Sequence, residues 1–429
     1  MIQEIKIRNF LSFKDEVSFS FEATKDKFAE DYQVVEVTPG VRLLRFAMIY
    51  GANASGKSNL LRAFDFLRYF WFNSQTDIND ETEVIPFLLD QETPNKHSNF
   101  ELIFYVGDKK YDYVLELDKN QIYYEKLSFY TSVQPTMLFE RSLNDSQSVI
   151  KFNPSVVKIS SVAKEKISIE CLKNMSFFAA RDKVNISIPE IDDAKNWMKK
   201  HIMPTITSET DLYNFAERKS HEDNTLKQYI LNFLKEADYN ITNISSEIIK
   251  KRIPDDYLEF MLNNDNVPKQ EKERLKTEKT IQQINTSFEH TVHTSRGIEK
   301  YLLPSFYEST GTLRTFGIET VIYNLIKSES FLSIDEIETS LHPQLLKYIL
   351  LNFLREKSRS QLIISTHYDP LLNEIDEIFR KDSVWFTEKN NSGHSELYSL
   401  IEFNGLNRLS SIQKAYNNGK FGAFPEINF

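Results

Sequence analysis

The chain opens on alternation. In IQEIKIRNF (2–10) apolar and polar residues take turns, the period of two expected of a strand with one buried face. VSFSFEA (17–23) reads as a second strand, and the apolar run LLRFAMIY (43–50) as a third that ends at a glycine loop. The period then changes. From Lys57 to about Phe72 the apolar residues of LLRAFDFLRYFWF fall at helical spacing, interrupted by Arg62, Asp65 and Arg68, which predicts a buried amphipathic helix. Three β-rich runs follow: NFELIFYVG, KKYDYVLEL and QIYYEKLSFYTS. Turn residues such as Gly107-Asp108 separate them, so an antiparallel meander is expected.

From about Ile186 to Glu289 glycine disappears, and Asn, Lys and Glu dominate. DNTLKQYILNFLKEA and VPKQEKERLKTEKTIQQINTSF read as helices, in a helical insertion too short and too weakly heptadic for a long coiled coil. No internal repeat is visible. The α/β pattern returns at about Glu299. It predicts a helix after Gly311, a strand FLSID, a helix from Pro343, a strand QLIIST, another helix, and the strands SVWFTE and ELYSLIEF. The fold class expected is α/β, a mixed sheet with an antiparallel β subdomain plus a helical insertion. The boundaries expected are 1–185, 186–298 and 299–429. The tail NNGKFGAFPEINF is expected to be partly ordered by its aromatics.

Composition narrows this picture. The 429 residues have room for two domains or one elaborated one, and 41% hydrophobic with 13% aromatic residues supply a large core. The single Cys171 excludes an internal disulfide and fits a reducing compartment. No apolar run approaches the roughly 20 residues that span a bilayer, and the N-terminus lacks signal-peptide form, so a cytoplasmic protein without a membrane partner is expected. A net charge of −10 argues against a generally basic, non-specific nucleic-acid binder. It leaves room for a local basic groove, for which KNWMKKH and IIKKRIP, with Tyr257 and Phe260 nearby, are the candidates; such a lysine run is more often a solvated face.

GANASGKS (51–58) sits between the third strand and the first helix. Gly51 and Gly56 let backbone N–H groups curl around phosphates, Lys57 adds a point charge, and Ser58 offers a hydroxyl to Mg²⁺. The helix beginning there aims its positive end at the same phosphates. Downstream, FLSI ends in Asp335 and Glu336. A carboxylate at a buried strand end can hold Mg²⁺ through water, and its neighbour can act as general base; alone, the pair would equally suit a solvated turn. His367 follows the apolar QLIIST and lies within reach of a γ-phosphate or its attacking water, although a lone histidine is more often structural. Upstream of the acids, Glu308-Ser309-Thr310-Gly311-Thr312 opens another apolar-periodic run, a second anion site or an ordinary N-cap.

Glycine loop, β meander, insertion, serine-glycine helix start, acidic strand end, strand-end histidine: this succession resembles the ATP-binding-cassette (ABC) class of ATPases, in its SMC/RecF-like branch. The resemblance covers roughly Met1 to Tyr130 and Tyr301 to Tyr398. It implies an ABC-type head that binds ATP and Mg²⁺. GANASGKSN is similar to Walker A, with Asn53, Ser55, Gly56, Lys57, Ser58 and Asn59 around the phosphates. LSIDE resembles Walker B, ETSLHP the D-loop, and His367 the switch histidine. Glu336, His367 and Lys57 take the catalytic roles, and Ser58 and Asp335 the metal. ESTGT resembles a degenerate signature motif whose Ser309 and Gly311 would touch the γ-phosphate held by a second subunit; it lacks the family's second adjacent glycine and its glutamine. IKIRNFLSF is similar to the family's first strand, which would bring Arg8 and Asn9 near the nucleotide. Gln91 is the best candidate for the metal-binding Q-loop glutamine.

The short insertion, GANASGKSN, DEIETSLHP and the terminal AYNNGKFGAFP resemble compact bacterial ATPases of phage-defence and abortive-infection systems, of the RloA/AbiLi type and of Septu-like pairs. That resemblance implies a sensor or regulatory ATPase, a homodimer or higher even-numbered oligomer, gating a separate effector, a nuclease in many such pairs. The chain carries no sign of its own effector: Cys171 lacks a histidine series, His290 and His293 in EHTVHTS lack clustered acids, and no second acidic cluster suits a two-metal nuclease. The competing expectation is a DNA-repair or recombination ATPase that clamps DNA directly. A third is a scaffold that binds ATP and hardly turns it over.

Overall fold

The computed structural model describes residues 1–144, 147–237, 239–264 and 267–424. Residues 425–429 of the aromatic tail lie outside the described residues. Two compact units are present: Met1–Thr210 with Leu325–Thr339 and Ile349–Phe429, and Asp211–Asn324 with Ser340–Tyr348.

The first unit holds two large sheets. One is antiparallel and seven-stranded, in the order β10-β9-β8-β7-β6-β1-β2. Its strands are β1 (Ile2–Arg8), β2 (Val17–Ser20), β6 (Ser98–Val106), β7 (Lys109–Leu117), β8 (Ile122–Tyr130), β9 (Pro135–Asn144) and β10 (Gln147–Phe152). The meander expected from alternation is its central part. The other sheet runs β14-β15-β5-β16-β17, with β5 (Phe46–Tyr50), β14 (Phe331–Ile334), β15 (Gln361–Ser365), β16 (Val384–Lys389) and β17 (Ser395–Ser399). Its first four strands are parallel, and β17 returns antiparallel. A small ribbon of β3 (Val34–Thr38) and β4 (Val41–Leu44) follows the four-residue α1 (Glu30–Gln33).

Helix α2 (Lys57–Phe72) buries Leu60, Leu61, Phe64, Leu67 and Trp71, the stripe that its spacing predicts. Phe64 meets Phe331 of β14 at 4.5 Å, and Trp71 meets Tyr113 of β7 at 5.5 Å, so α2 is packed against both sheets. Phe19 on Trp385, at 4.9 Å, joins β2 directly to β16. Helices α3 (Ser161–Glu170), α4 (Phe177–Asp182) and α5 (Pro189–His201) complete this core, with Trp197 stacked on Phe104 at 4.7 Å. After α5 the chain pairs with the free side of β14 through Ile202–Phe331 and Ile206–Ile334 bridges.

The second unit departs from expectation. The insertion is not purely helical: α6 (Tyr213–Glu222), α7 (Asn224–Glu236), α8 (Asp255–Asn263) and α9 (Lys269–Glu278) accompany an antiparallel sheet of β11 (Ile241–Arg252), β12 (Thr280–Thr294) and β13 (Gly297–Pro304). The helix read over VPKQEKERLKTEKTIQQINTSF stops at Glu278. Beyond it TIQQINTSFEHTVHT is rich in β-branched residues, and eleven residues of β11 pair with it from Thr280 to His290. Helix α10 (Thr310–Ser328) starts where the apolar run predicts, and α11 (Pro343–Arg355) begins at Pro343, where proline serves a first helical turn. The helix expected after QLIIST is only a 3₁₀ segment, Asp369–Glu374. Helix α12 (Ile412–Asn417) is the last element.

Candidate nucleotide site

Strand β5 is the middle strand of the parallel sheet and delivers the chain into Gly51. A Cβ at Gly51 would lie 2.4 Å from both Ser55 Oγ and Thr387 O, so only glycine fits. Ser55 Oγ meets Thr387 Oγ1 of β16 at 2.7 Å. Gly56 has φ +113°, and a Cβ there would approach Ser395 Oγ to 2.5 Å and Ser12 Oγ to 2.9 Å. Asn59 Nδ2 donates to Ser12 Oγ at 2.8 Å. The loop is therefore fixed on three sides: by β16, by the start of β17 and by the turn after β1.

Lys57 is buried, and its Nζ donates to Gly51 O at 2.8 Å and Ala52 O at 3.1 Å. Burial pushes its ammonium down to about 8, against the pull of Asp335, Glu336 and Glu338. Asp335 caps β14: its N–H donates to Ile206 O at 2.7 Å and its Oδ1 accepts from Ser365 Oγ at the end of β15. Glu336 has φ +48°, a left-handed conformation that costs on the order of 1–3 kcal/mol in a non-glycine residue. Its N–H is held by Ser365 Oγ at 2.9 Å. His367 is exposed after β15. Partial burial of its ring, then the Lys57 charge, hold the imidazole below the ordinary histidine range, so it is neutral at pH 7.

The glycine loop, Glu336 and His367 share one pocket of about 340 Å³, which Asp335 does not itself line. Asn53, Ser55, Gly56, Lys57, Ser58 and Asn59 line it with Glu336 and His367. Ser12, Arg62 and Lys389 complete the wall, which thus presents three cations to one carboxylate. That balance suits an anionic ligand, and amides at a helix N-terminus suit its phosphates. The donors for Mg²⁺ fit as well. Ser58 and Asp335 are hard oxygen ligands, and Mg²⁺ shared with phosphates takes only one or two protein ligands. Among the described residues no three His, Cys, Asp or Glu side chains gather into a protein-only metal cage.

Several residues stand elsewhere. Asn9 is buried, and its side chain is spent on the backbone: Nδ2 donates to Thr93 O and Lys96 O at 2.9 Å, and Oδ1 accepts from Phe87 N at 3.0 Å. It ties β1 to the loop before β6, so the nucleotide contact expected of it is corrected. Arg8 is exposed at the end of β1, and Gln91 is exposed on the loop before β6; neither lines the pocket. Ser309 and Gly311 belong to the second unit. There Ser309 Oγ accepts from Thr312 N at 3.0 Å and so caps the first turn of α10. A Cβ on Gly311 would lie 3.0 Å from Ser340 O. His290 Nε2 lies 2.5 Å from Glu308 Oε1, a local side-chain contact.

Sequence reasoning missed Ser12, Arg62, Thr387, Lys389 and Glu338. Glu338 Oε1 accepts the His367 N–H at 2.6 Å, and its buried Oε2 has no hydrogen-bond partner among the described residues. Its nearness to Glu336 in DEIET was the one available signal. Arg62 lies on α2 one turn beyond Ser58, Thr387 and Lys389 arrive on β16, and Ser12 arrives on the turn after β1.

No curated protein matches the chain. Solved structures similar to it include the SMC head domain from Thermotoga maritima, at 12% identity and TM-score 0.41 over 93% of this chain and 98% of that one. Another is an SmcHead bound to the C-winged helix domain of ScpA, at 15% identity and TM-score 0.46, covering 97% and 99%. No helix among the described residues is long and apolar enough to cross a membrane. The family model described as "AAA domain, putative AbiEii toxin, Type IV TA system" matches residues 46–154 and 199–373, well over half the chain and including the phosphate loop, the acidic strand end and His367. The chain belongs to that family of AAA domains.

Proposed function

We propose that the chain is an ABC-type ATPase, hydrolysing ATP to ADP and phosphate, and serves as the sensor or regulatory subunit of a bacterial antiphage system. The observation that carries this reading is the convergence of Lys57, Glu336 and His367 on one cation-rich pocket built around the glycine loop. Loop amides and Lys57 hold the phosphates. Ser58 and Asp335 would hold Mg²⁺, which would neutralise phosphate charge when bound. Glu336 accepts the proton of the attacking water as its oxygen bonds to the γ-phosphorus and the bond to the bridging oxygen of ADP breaks. Neutral His367 orients that water or the γ-phosphate.

Ser309 and Gly311 act on the ATP of a second copy, so ATP draws two chains into a homodimer or a higher even-numbered oligomer. Hydrolysis releases them, and the cycle gates a separate effector protein, a nuclease by the earlier resemblance. The AbiEii description of the family supports the defence setting. The protein works in the cytoplasm. Light scattering with and without ATP–Mg²⁺ tests the clamp, beside steady-state hydrolysis. Glu336→Gln is expected to accumulate an ATP-bound dimer, and Lys57→Ala to stay apart. Equal masses for wild type and both variants in every condition would sink the clamp, and phosphate release equal in all three would sink the ATPase.

A further inference from the structure

The C-terminal segment 412–424 is packed onto the two strands that frame the glycine loop. Ser411 caps α12 by accepting from Lys414 N at 3.1 Å. The Tyr416 ring lies 5.7 Å from Tyr50 of β5 and is stacked on Phe386 of β16 at 5.6 Å. Phe421 is fully buried and stacks on Phe386 at 5.6 Å. A Cβ at Gly422 would lie 2.4 Å from Glu388 Oε2, so the chain turns there on glycine alone. Asn417 and Phe424 then line one pocket together with Gly51, Asn53, His367 and Asp369.

From this anchored helix two amides reach the histidine turn. Gln413 Nε2 and Asn417 Nδ2, four residues apart on one helical face, each donate to Asp369 Oδ2 at 2.8 Å. Asp369 N donates to His367 O at 3.0 Å. On the opposite side Glu338 Oε1 holds His367 N, and Tyr50 OH donates to Tyr368 O at 3.2 Å. Both main-chain groups of His367 are thus fixed, while its imidazole stays at the pocket.

We propose that Asp369, held by Gln413 and Asn417 of α12, is a positioning residue for His367, which makes the C-terminal segment a working part of the ATPase site. This rests on the proposed hydrolysis and names what orients one of its groups. The test is kcat and KM for ATP–Mg²⁺ in the full chain. Asp369→Ala is expected to lower kcat about tenfold with KM within about twofold, because misplacing a catalytic group by about 1 Å can cost on the order of 100-fold. Asp369→Asn keeps a carbonyl oxygen for the two amides and is expected to restore kcat to within about twofold of wild type. In a His367→Ala background, Asp369→Ala should lower kcat no further, since residues acting through one another are not additive. If Asp369→Ala does not fold, the Gln413→Ala, Asn417→Ala double variant reads the same contact from the helix side.

Wild-type kcat in Asp369→Ala, a full additional loss in the His367→Ala background, or a change in KM alone overturns the assignment. Lys57→Ala and Glu336→Gln serve as controls. If they hydrolyse ATP at the wild-type rate, the proposed function itself falls. If they are inactive and Asp369→Ala is not impaired, only the positioning role falls.

Discussion

The glycine loop and the start of α10 are both glycine-bearing helix N-termini, and they are built in opposite ways. Ser55 bonds Thr387, 332 positions away, and Gly51 and Gly56 are pressed against β16, β17 and the turn after β1. Ser309 bonds the first turn of its own helix and is exposed. The first helix start is braced by distant strands. The second is a local cap with its serine exposed. The difference teaches that glycine and serine at a helix start do not by themselves define a binding loop. What defines it is whether distant strands hold the amides in place before a ligand arrives.

Variants that touch either region sharpen this contrast. The largest effect is expected from Glu336→Gln, which removes the proposed base and leaves the loop intact: kcat is expected to fall by about 10²–10⁴-fold while the ATP dissociation constant, read by fluorescence titration, stays near wild type. Gly51→Ala attacks the bracing itself. Its methyl would overlap the Thr387 backbone, so chemical denaturation should show a loss of about 1–3 kcal/mol, and ATP should no longer raise the melting temperature. Ser55→Ala removes one hydroxyl contact and Ser309→Ala two to the same Thr312, and each costs about 1 kcal/mol of stability. Only Ser55→Ala should weaken ATP binding by a single chain. An equal weakening by Ser309→Ala would break the contrast. The smallest effect concerns pH. Lys57 carries its charge below about 8 and loses it above, so ATP affinity should decline as pH rises through that value. Lys57→Arg, charged throughout, should flatten that decline.

Much of the head was readable from the chain. Alternation in IQEIKIRNF and the change of period at Lys57 give β1 and α2, and motif order gives Asp335, Glu336 and His367 their places. These signals are local, since a strand end or a helix start is written in adjacent residues. The wall of the pocket is not local. Thr387 and Lys389 meet the loop because β5 is flanked by β16, and Ser12 because the turn after β1 bonds Ser395 and Asn59, neighbours that no spacing announces. Asn9 misled because its strand end was read correctly while its side chain turns inward to the backbone of residues 87–97. The sheet of the second unit was hidden by the Lys- and Glu-rich run of α9, which joins TIQQINTSF without a glycine or proline to mark the change. There tertiary pairing with β11 prevails over composition.

The place of β5 in its sheet also bears on how the protein is made. Its neighbours β15 and β16 are both encoded more than 300 residues after it. At about 5–20 residues per second, a ribosome takes on the order of 20–60 s to pass from the glycine loop to Thr387. Throughout that interval the nascent loop lacks its braces, and closing so long a gap awaits the last parallel strand. Chains released earlier would carry the whole GANASGKS motif without the β16 and β17 contacts that brace it.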